Sequence, residues 1–143
     1  KMYDEAFIGL EGIKAVPLNT EERKNSYWWY PILLDIDKLD CDAPQFVKYL
    51  QAEGIPCYGI QWPEAYEEKA YKEHNGFGAA KFPFESKEYT DPKSVEYDKT
   101  FCPTANKLRS ETISLFLHPS WSECHIQRCI DGVKKVLEAH KKK

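Results

Sequence analysis

Residues 26–37, SYWWYPILLDID, are the most strongly apolar run of the chain and the strongest limit on what it can fold into. Trp28, Tyr30, Ile32, Leu34 and Ile36 alternate onto one side, and Tyr27, Trp29 and Leu33 fall on the other. A period of two is strand spacing, and apolar residues on both sides predict a strand covered on both faces. Pro31 has no N–H to give a ladder, so it marks an edge position or a bulge. The paired tryptophans are read as core packing rather than as a ligand platform, because aromatic side chains mostly bury area.

Two further segments supply partners for such a strand. Asp42 is placed to cap a helix, with Pro44 in its first turn and Gln45 three residues on in a capping-box arrangement. Phe46, Val47 and Leu50 form the stripe of that helix, Gly54 is its left-handed C-terminal residue, and residues 55–60 make a short strand. The second segment is 102–121, CPTANKLRSETISLFLHPSW. Pro103 opens a helical turn, and Ile113, Leu115 and Leu117 then alternate with Thr112, Ser114 and Phe116. His118 and Pro119 stop that strand. Ser122 caps a last helix over 123–140, with Trp121 and Ile126 spaced as a hydrophobic staple. Ile126, Cys129, Ile130, Val133, Val136 and Leu137 are its apolar stripe. The expected fold is α+β: a small mixed or antiparallel sheet of about three strands (27–35, 55–60 and 112–117), with the helices packed on one face.

The connections are less regular. Residues 11–25 read as a loop. Residues 72–101 are long and broken by Gly76, Gly78, Pro83 and Pro92. They carry Phe77, Phe82, Phe84, Tyr89, Tyr97 and Phe101, too many aromatics for a disordered linker. That segment is expected to be ordered, against its own domain or a neighbouring subunit. Tyr3, Phe7, Ile8 and Leu10 have helix-like spacing that Gly9 and Gly12 interrupt, as in the tail of a helix that begins elsewhere. The chain is therefore read as a fragment of a longer one, with a tag-trimmed complete protein as the alternative.

At 143 residues one domain with a sizeable core is expected. A net charge of -3 gives no reason to propose nucleic acid as a partner, and no apolar run approaches the ~20 residues of a membrane span. Five irregularly spaced cysteines suit a reduced, cytoplasmic protein. His125 and Cys129, four apart on one helix with Cys124 adjacent, are weighed as zinc ligands and set aside. There is no C-x-x-C, and Cys129 belongs to the apolar stripe. No metal site is expected. Nothing places a base beside a cysteine, and the glycines are too scattered for a phosphate cradle.

Residues 102–121 resemble the closing segment of the DegT/DnrJ-type sugar aminotransferases, pyridoxal-phosphate enzymes of fold type I. In that family a proline-led turn runs into a strand of the form S-L-P-L-H-P and then a capped amphipathic helix. Ser114, Leu115, Leu117, His118 and Pro119 match, Phe116 replaces the inner proline, and Asn106 stands where the family usually carries a glutamate. Leu50, Gly54 and Ile55 match the family's L-x-x-x-G-I step. The resemblance covers roughly residues 10–139, and only the small C-terminal domain of such an enzyme. It implies that residues 1–12 end an inter-domain helix and that 13–143 are the aminotransferase C-terminal domain, without the large cofactor-binding domain.

The function so implied is amino transfer from Glu or Gln to a keto-sugar or keto-cyclitol by a homodimer. A sugar dehydratase of the same family is one alternative, and a stand-alone binding or interaction domain is the other. The cofactor, pyridoxal phosphate, would be held by a lysine outside this chain, so no catalytic or cofactor-binding residue is expected here. By position Gln61 and Trp62 take the places of the histidine and tyrosine of a family substrate loop, Pro63 that of its proline, and Tyr66 that of its second histidine. Trp62 and Tyr66 either stack on a sugar or nucleobase or anchor the loop. Gln61, Trp62, Tyr66 and His118 are the candidate substrate-binding residues for a sugar or nucleotide-sugar, His118 having a structural reading as well.

Overall fold

The structure is a computed structural model, and it describes residues 1–79, 81–88, 97 and 101–142. The chain divides into two compact units, one of Lys1–Gln61 with Lys107–Lys143 and the other of Trp62–Asn106.

The first unit is α+β, as expected. Helix α1 (Met2–Phe7) precedes strands β1 (Ile13–Ala15) and β2 (Trp29–Leu34), helix α2 (Ala43–Ala52) and strand β3 (Cys57–Gly59). Strand β4 (Thr112–Phe116) and helix α5 (Glu123–Ala139) close it. The four strands form an antiparallel sheet in the order β1-β2-β4-β3. Three strands lie where the alternation placed them. The fourth, β1, falls inside the stretch read as a loop. Ile13 and Ala15 have no strand pattern of their own, and they pair with Leu34 and Leu33 across an irregular register.

Pro31 sits in the middle of β2, opposite Ser114 of β4. Among the described residues β1 pairs with β2 only at Leu34 and Leu33, so on the side away from β4 Pro31 holds an edge position, where its missing N–H costs no ladder bond. The register shift between Ile13 and Ala15 lies opposite Leu34 and Leu33.

Helix α2 starts as its sequence dictates. Asp42 Oδ1 accepts from the Gln45 N–H at 2.8 Å, and the Gln45 side chain accepts from the Asp42 N–H at 3.3 Å. Gly54 ends it in the left-handed region at φ +75°. At α5 the cap is unusual. His125 Nδ1 accepts from the Ser122 N–H at 3.3 Å and lies 2.8 Å from Ser122 Oγ, so the imidazole takes the part a glutamate plays in the common capping box.

One core joins these elements. Tyr30, Ile32 and Leu34 of β2, Ile113 and Leu115 of β4 and Cys57 of β3 are buried. They meet Phe46 and Leu50 of α2, Ile130 and Val133 of α5, and Tyr3 and Phe7 of α1. Removing Phe46 or Ile32 from water stabilises the fold by about 1.5–3 kcal/mol each. The Tyr30 hydroxyl donates to Asp4 Oδ1 at 2.8 Å, which ties α1 to the sheet. Burial, and then that bond, push its pKa upward. Gly132 lets α5 approach closely, because a Cβ there would meet Ile55 Cγ1 at 2.6 Å.

The second unit contains a short helix, α3 (Lys69–Lys72), and the start of α4 (Pro103–Glu111), which ends in the first unit. Tyr71, Phe84 and Tyr97 form an edge-to-face group with His74, whose ring stacks on Phe84 at 5.5 Å. The other aromatics of this segment differ. Phe77, Phe82 and Phe101 are 83%, 48% and 71% exposed. Phe77 and Phe82 pair only with each other's backbone across a tight turn, which leaves their rings few neighbours. Tyr89 lies outside the described residues.

Candidate functional site

The sheet has two unlike faces. Helices pack on the face of Tyr30, Ile32, Ile113 and Leu115. Alternation sends Trp29, Pro31 and Leu33, with Thr112, Ser114, Phe116 and Tyr58, to the other. There the rings run together: Trp29 meets Tyr58 edge-on at 5.1 Å and Phe116 at 5.7 Å. Phe116 continues to Trp121 at 5.7 Å, and Trp121 stacks on His125 at 6.1 Å. Trp28 stacks on Trp29 from the open end and is 76% exposed. Ser114 is polar yet buried, because it lies between Pro31 and Tyr58 on the flanking strands, where the Trp29 and Tyr58 rings come together. This face is apolar and half-covered, and the paired tryptophans, expected in the core, lie outside it, Trp28 exposed and Trp29 half-buried. Expecting β2 to be covered on both sides went further than the described residues do.

The four expected site residues divide between the units. Gln61 and His118 belong to the sheet unit, Trp62 and Tyr66 to the smaller one. Gln61 is exposed. His118 leaves the end of β4, where its Nδ1 accepts from the Ser120 N–H at 3.2 Å and lies 2.6 Å from Ser120 Oγ. A nitrogen that accepts an N–H carries no proton itself, so the imidazole proton of neutral His118 is on Nε2. Its ring stacks on Phe116 at 6.2 Å, at the margin of the aromatic face.

Within the smaller unit Tyr66 is half-buried and engaged. Its hydroxyl accepts from the Cys102 N–H at 3.4 Å and lies 3.4 Å from the Asn106 side-chain amide. With its nitrogen turned to Glu64, the Asn106 amide donates to the two carboxylate oxygens at 2.7 and 3.3 Å. A glutamate at position 106 would set two carboxylates against each other here, so asparagine is the residue this loop can use. These contacts within its own unit are those the anchoring alternative expects. Trp62 is 63% exposed and open to a ligand.

His125 and Cys129 serve different surroundings. The His125 Nδ1 is committed to Ser122, while Cys129 is buried in the core, where burial pushes its thiol upward. The two border a small groove of about 100 Å³ with Trp121 and Arg128.

A lysine-bound pyridoxal cofactor needs an enclosed lysine, a carboxylate for the ring nitrogen and a turn for the phosphate. The ammonium groups of Lys72, Lys81, Lys135 and Lys141 are exposed and paired with Glu67, Glu85, Glu53 and Glu11, so none of these four fits such a lysine.

No protein-family model matches the chain. It is similar to an uncharacterized protein of Methanocaldococcus jannaschii, MJ1066, at 22% identity over 141 residues. That match takes in 99% of this chain and 31% of the relative, so the chain spans about a third of the length of the protein it matches.

Sequence reasoning passed over one cluster, Asp40, Cys41 and His140. Asp40 and Cys41 are adjacent, but His140 enters from the far end of the chain, and no spacing rule connects them.

Proposed function

We propose that this chain is the small C-terminal domain of a pyridoxal-phosphate-dependent sugar aminotransferase of the DegT/DnrJ type. In this reading the enzyme acts on a keto-sugar or keto-cyclitol with Glu or Gln as amino donor, as a homodimer in a reduced cytoplasm. The observation that supports it best is the one-sided sheet. Its inner face is closed by helices, while its outer face carries a connected set of aromatic rings suited to cover by another part of a larger enzyme. The Ser114–Pro119 motif puts Ser114 and Phe116 on this face and His118 at its margin. Five free thiols agree with a reduced compartment, and no helix of the described residues is long and apolar enough to cross a membrane.

The domain's part is to bind and position. His118, with Nδ1 occupied, offers an Nε2–H donor, Trp62 offers an exposed aromatic face to a sugar or base, and Gln61 offers an amide. The cofactor would supply the electron sink for amino transfer, and its lysine belongs to the large domain. The test is amino transfer from glutamate to a panel of nucleotide-linked keto-sugars. It compares the 143-residue chain with the product of the complete gene. The expected result is activity in the second and none in the first. Trp62→Ala in the active protein should raise KM about tenfold or more while leaving cofactor loading intact. Stoichiometric borohydride trapping of pyridoxal phosphate on one lysine of the isolated chain, with exchange from glutamate, would sink this reading.

A further inference from the structure

The tail of α5 is clasped to the segment that precedes α2. The Asp40 N–H donates to the His140 carbonyl and the Lys142 N–H to the Lys38 carbonyl, each at 2.9 Å, with Leu39 and Lys141 paired between them. Three side chains of three different kinds gather at this clasp: the Asp40 carboxylate, the Cys41 thiol and the His140 imidazole. One ligand atom from each lies within 4.8 Å of the other two.

Their present arrangement is unequal. His140 Nδ1 is 2.9 Å from Asp40 Oδ1, and the Tyr49 ring stacks on the imidazole at 4.0 Å and 8°, so the ring plane is held. Cys41 is 93% hidden (7% exposed), and among the described residues its sulfur has no hydrogen-bond partner. The Asp40–His140 contact accounts for two of the three groups as an ordinary side-chain hydrogen bond. It gives no reason for a buried thiol to face a carboxylate and an imidazole.

We infer that Asp40, Cys41 and His140 form a binding site for a divalent transition-metal ion of the zinc class. Thiolate, imidazole and carboxylate together suit zinc, cobalt or nickel, whereas calcium and magnesium take oxygen ligands. Three protein ligands leave one tetrahedral position to water. As the ion binds, neutral His140 ligates through the ring nitrogen that carries no proton, its one N–H lying on the other nitrogen, and the Cys41 thiol releases its proton to solvent as the metal–sulfur bond forms. Asp42, the other nearby carboxylate, is committed to capping α2 and is not counted as a ligand. Because the backbone bonds already join the two segments, the ion has only to draw the three side chains together, not to bring the segments to each other. It would staple the end of α5 to the start of α2, across 100 residues of sequence.

Cobalt(II) is the probe, because thiolate ligation gives a near-ultraviolet charge-transfer band and tetrahedral geometry an intense visible one. Titration of the 143-residue chain, stripped of metal with a chelator, should develop both bands at one equivalent, and zinc should bleach them. Cys41→Ser should abolish the charge-transfer band. Asp40→Asn and His140→Gln, both at the surface, should keep the fold and weaken binding by about tenfold or more. The double variant Cys102→Ser, Cys124→Ser removes the two exposed thiols and should leave the titration unchanged. No thiolate band in the parent chain would overturn the proposal. A band that vanishes with Cys102 and Cys124, or one indifferent to Asp40→Asn and His140→Gln, would overturn it as well.

Discussion

In the sheet unit Phe46, Ile32, Leu34 and Leu115 have no exposed surface, whereas in the Trp62–Asn106 unit the described residues include one buried side chain, Ser86. The first unit is held by aliphatic and aromatic burial shared among three helices and a sheet. The second relies on a partly open aromatic group around His74 and on exposed ion pairs. Lys81 Nζ lies 3.1 Å from Glu85 Oε1 and holds that carboxyl below its usual range, and Lys72 lies 3.0 Å from Glu67. Surface pairs of this kind contribute little, while buried aliphatics contribute most of a domain's cooperativity. The contrast teaches where rigidity and adaptability sit in this molecule. The sheet unit is the scaffold, and the described residues of the smaller unit have the sparse burial that goes with low local stability.

Three measurements can break or sharpen that contrast. The largest effect is expected from Phe46→Ala, which empties a site with no solvent contact. It should cost about 3–5 kcal/mol in urea unfolding followed by far-ultraviolet dichroism. A loss below about 1 kcal/mol would mean that the sheet unit is not the cooperative core.

The second effect comes from Cys57. Burial, and then its neighbour Cys129, push this thiol up to about 11. An unfolded thiol titrates near ~8.5, so over the interval between the two values the folded chain holds a proton that the unfolded chain has lost. Stability should therefore be fully present below pH ~8.5 and fall as the pH rises towards the folded value. Cys57→Ala should remove about one proton's worth of that alkaline slope, about 3–4 kcal/mol over the whole interval. A pH profile identical in the two proteins would show that the thiol is more open than its burial indicates.

The smallest effect belongs to the second unit. Phe84→Ala removes the ring shared by Tyr71, His74 and Tyr97, a loss of about 1 kcal/mol. Amide exchange over residues 69–86 should accelerate, while the strand amides of β2 and β4 keep their protection. Equal acceleration in both would show that the two units share one cooperative transition.

Local chemistry made much of the architecture legible. The two-residue period of 26–37 and 112–117, the Asp42 and Ser122 caps, the Gly54 stop and the stripe of α5 each depend on neighbours a few residues away. A linear reading finds such features. It also found the apolar, two-sided character of β2, though not the ring cluster of the outer face, since the paired tryptophans were expected in the core. The expected site was legible only as a set of residue types. Tyr66 proved to be tied to Cys102 and Asn106, contacts 36 and 40 residues distant that no spacing announces.

By itself, then, the sequence determined β2, β4, α2 and α5 and the approximate place of β3, because alternation, capping and left-handed glycines act within a turn or two of chain. Only the tertiary structure decided the order β1-β2-β4-β3 and the promotion of Ile13–Ala15 to a strand. A three-residue segment with no pattern becomes a strand only when a neighbour supplies its hydrogen bonds. The same holds for the meeting of Asp40 and Cys41 with His140. Distant groups come together through the summed packing of α2, α5 and the sheet, and that sum is not written at any one position.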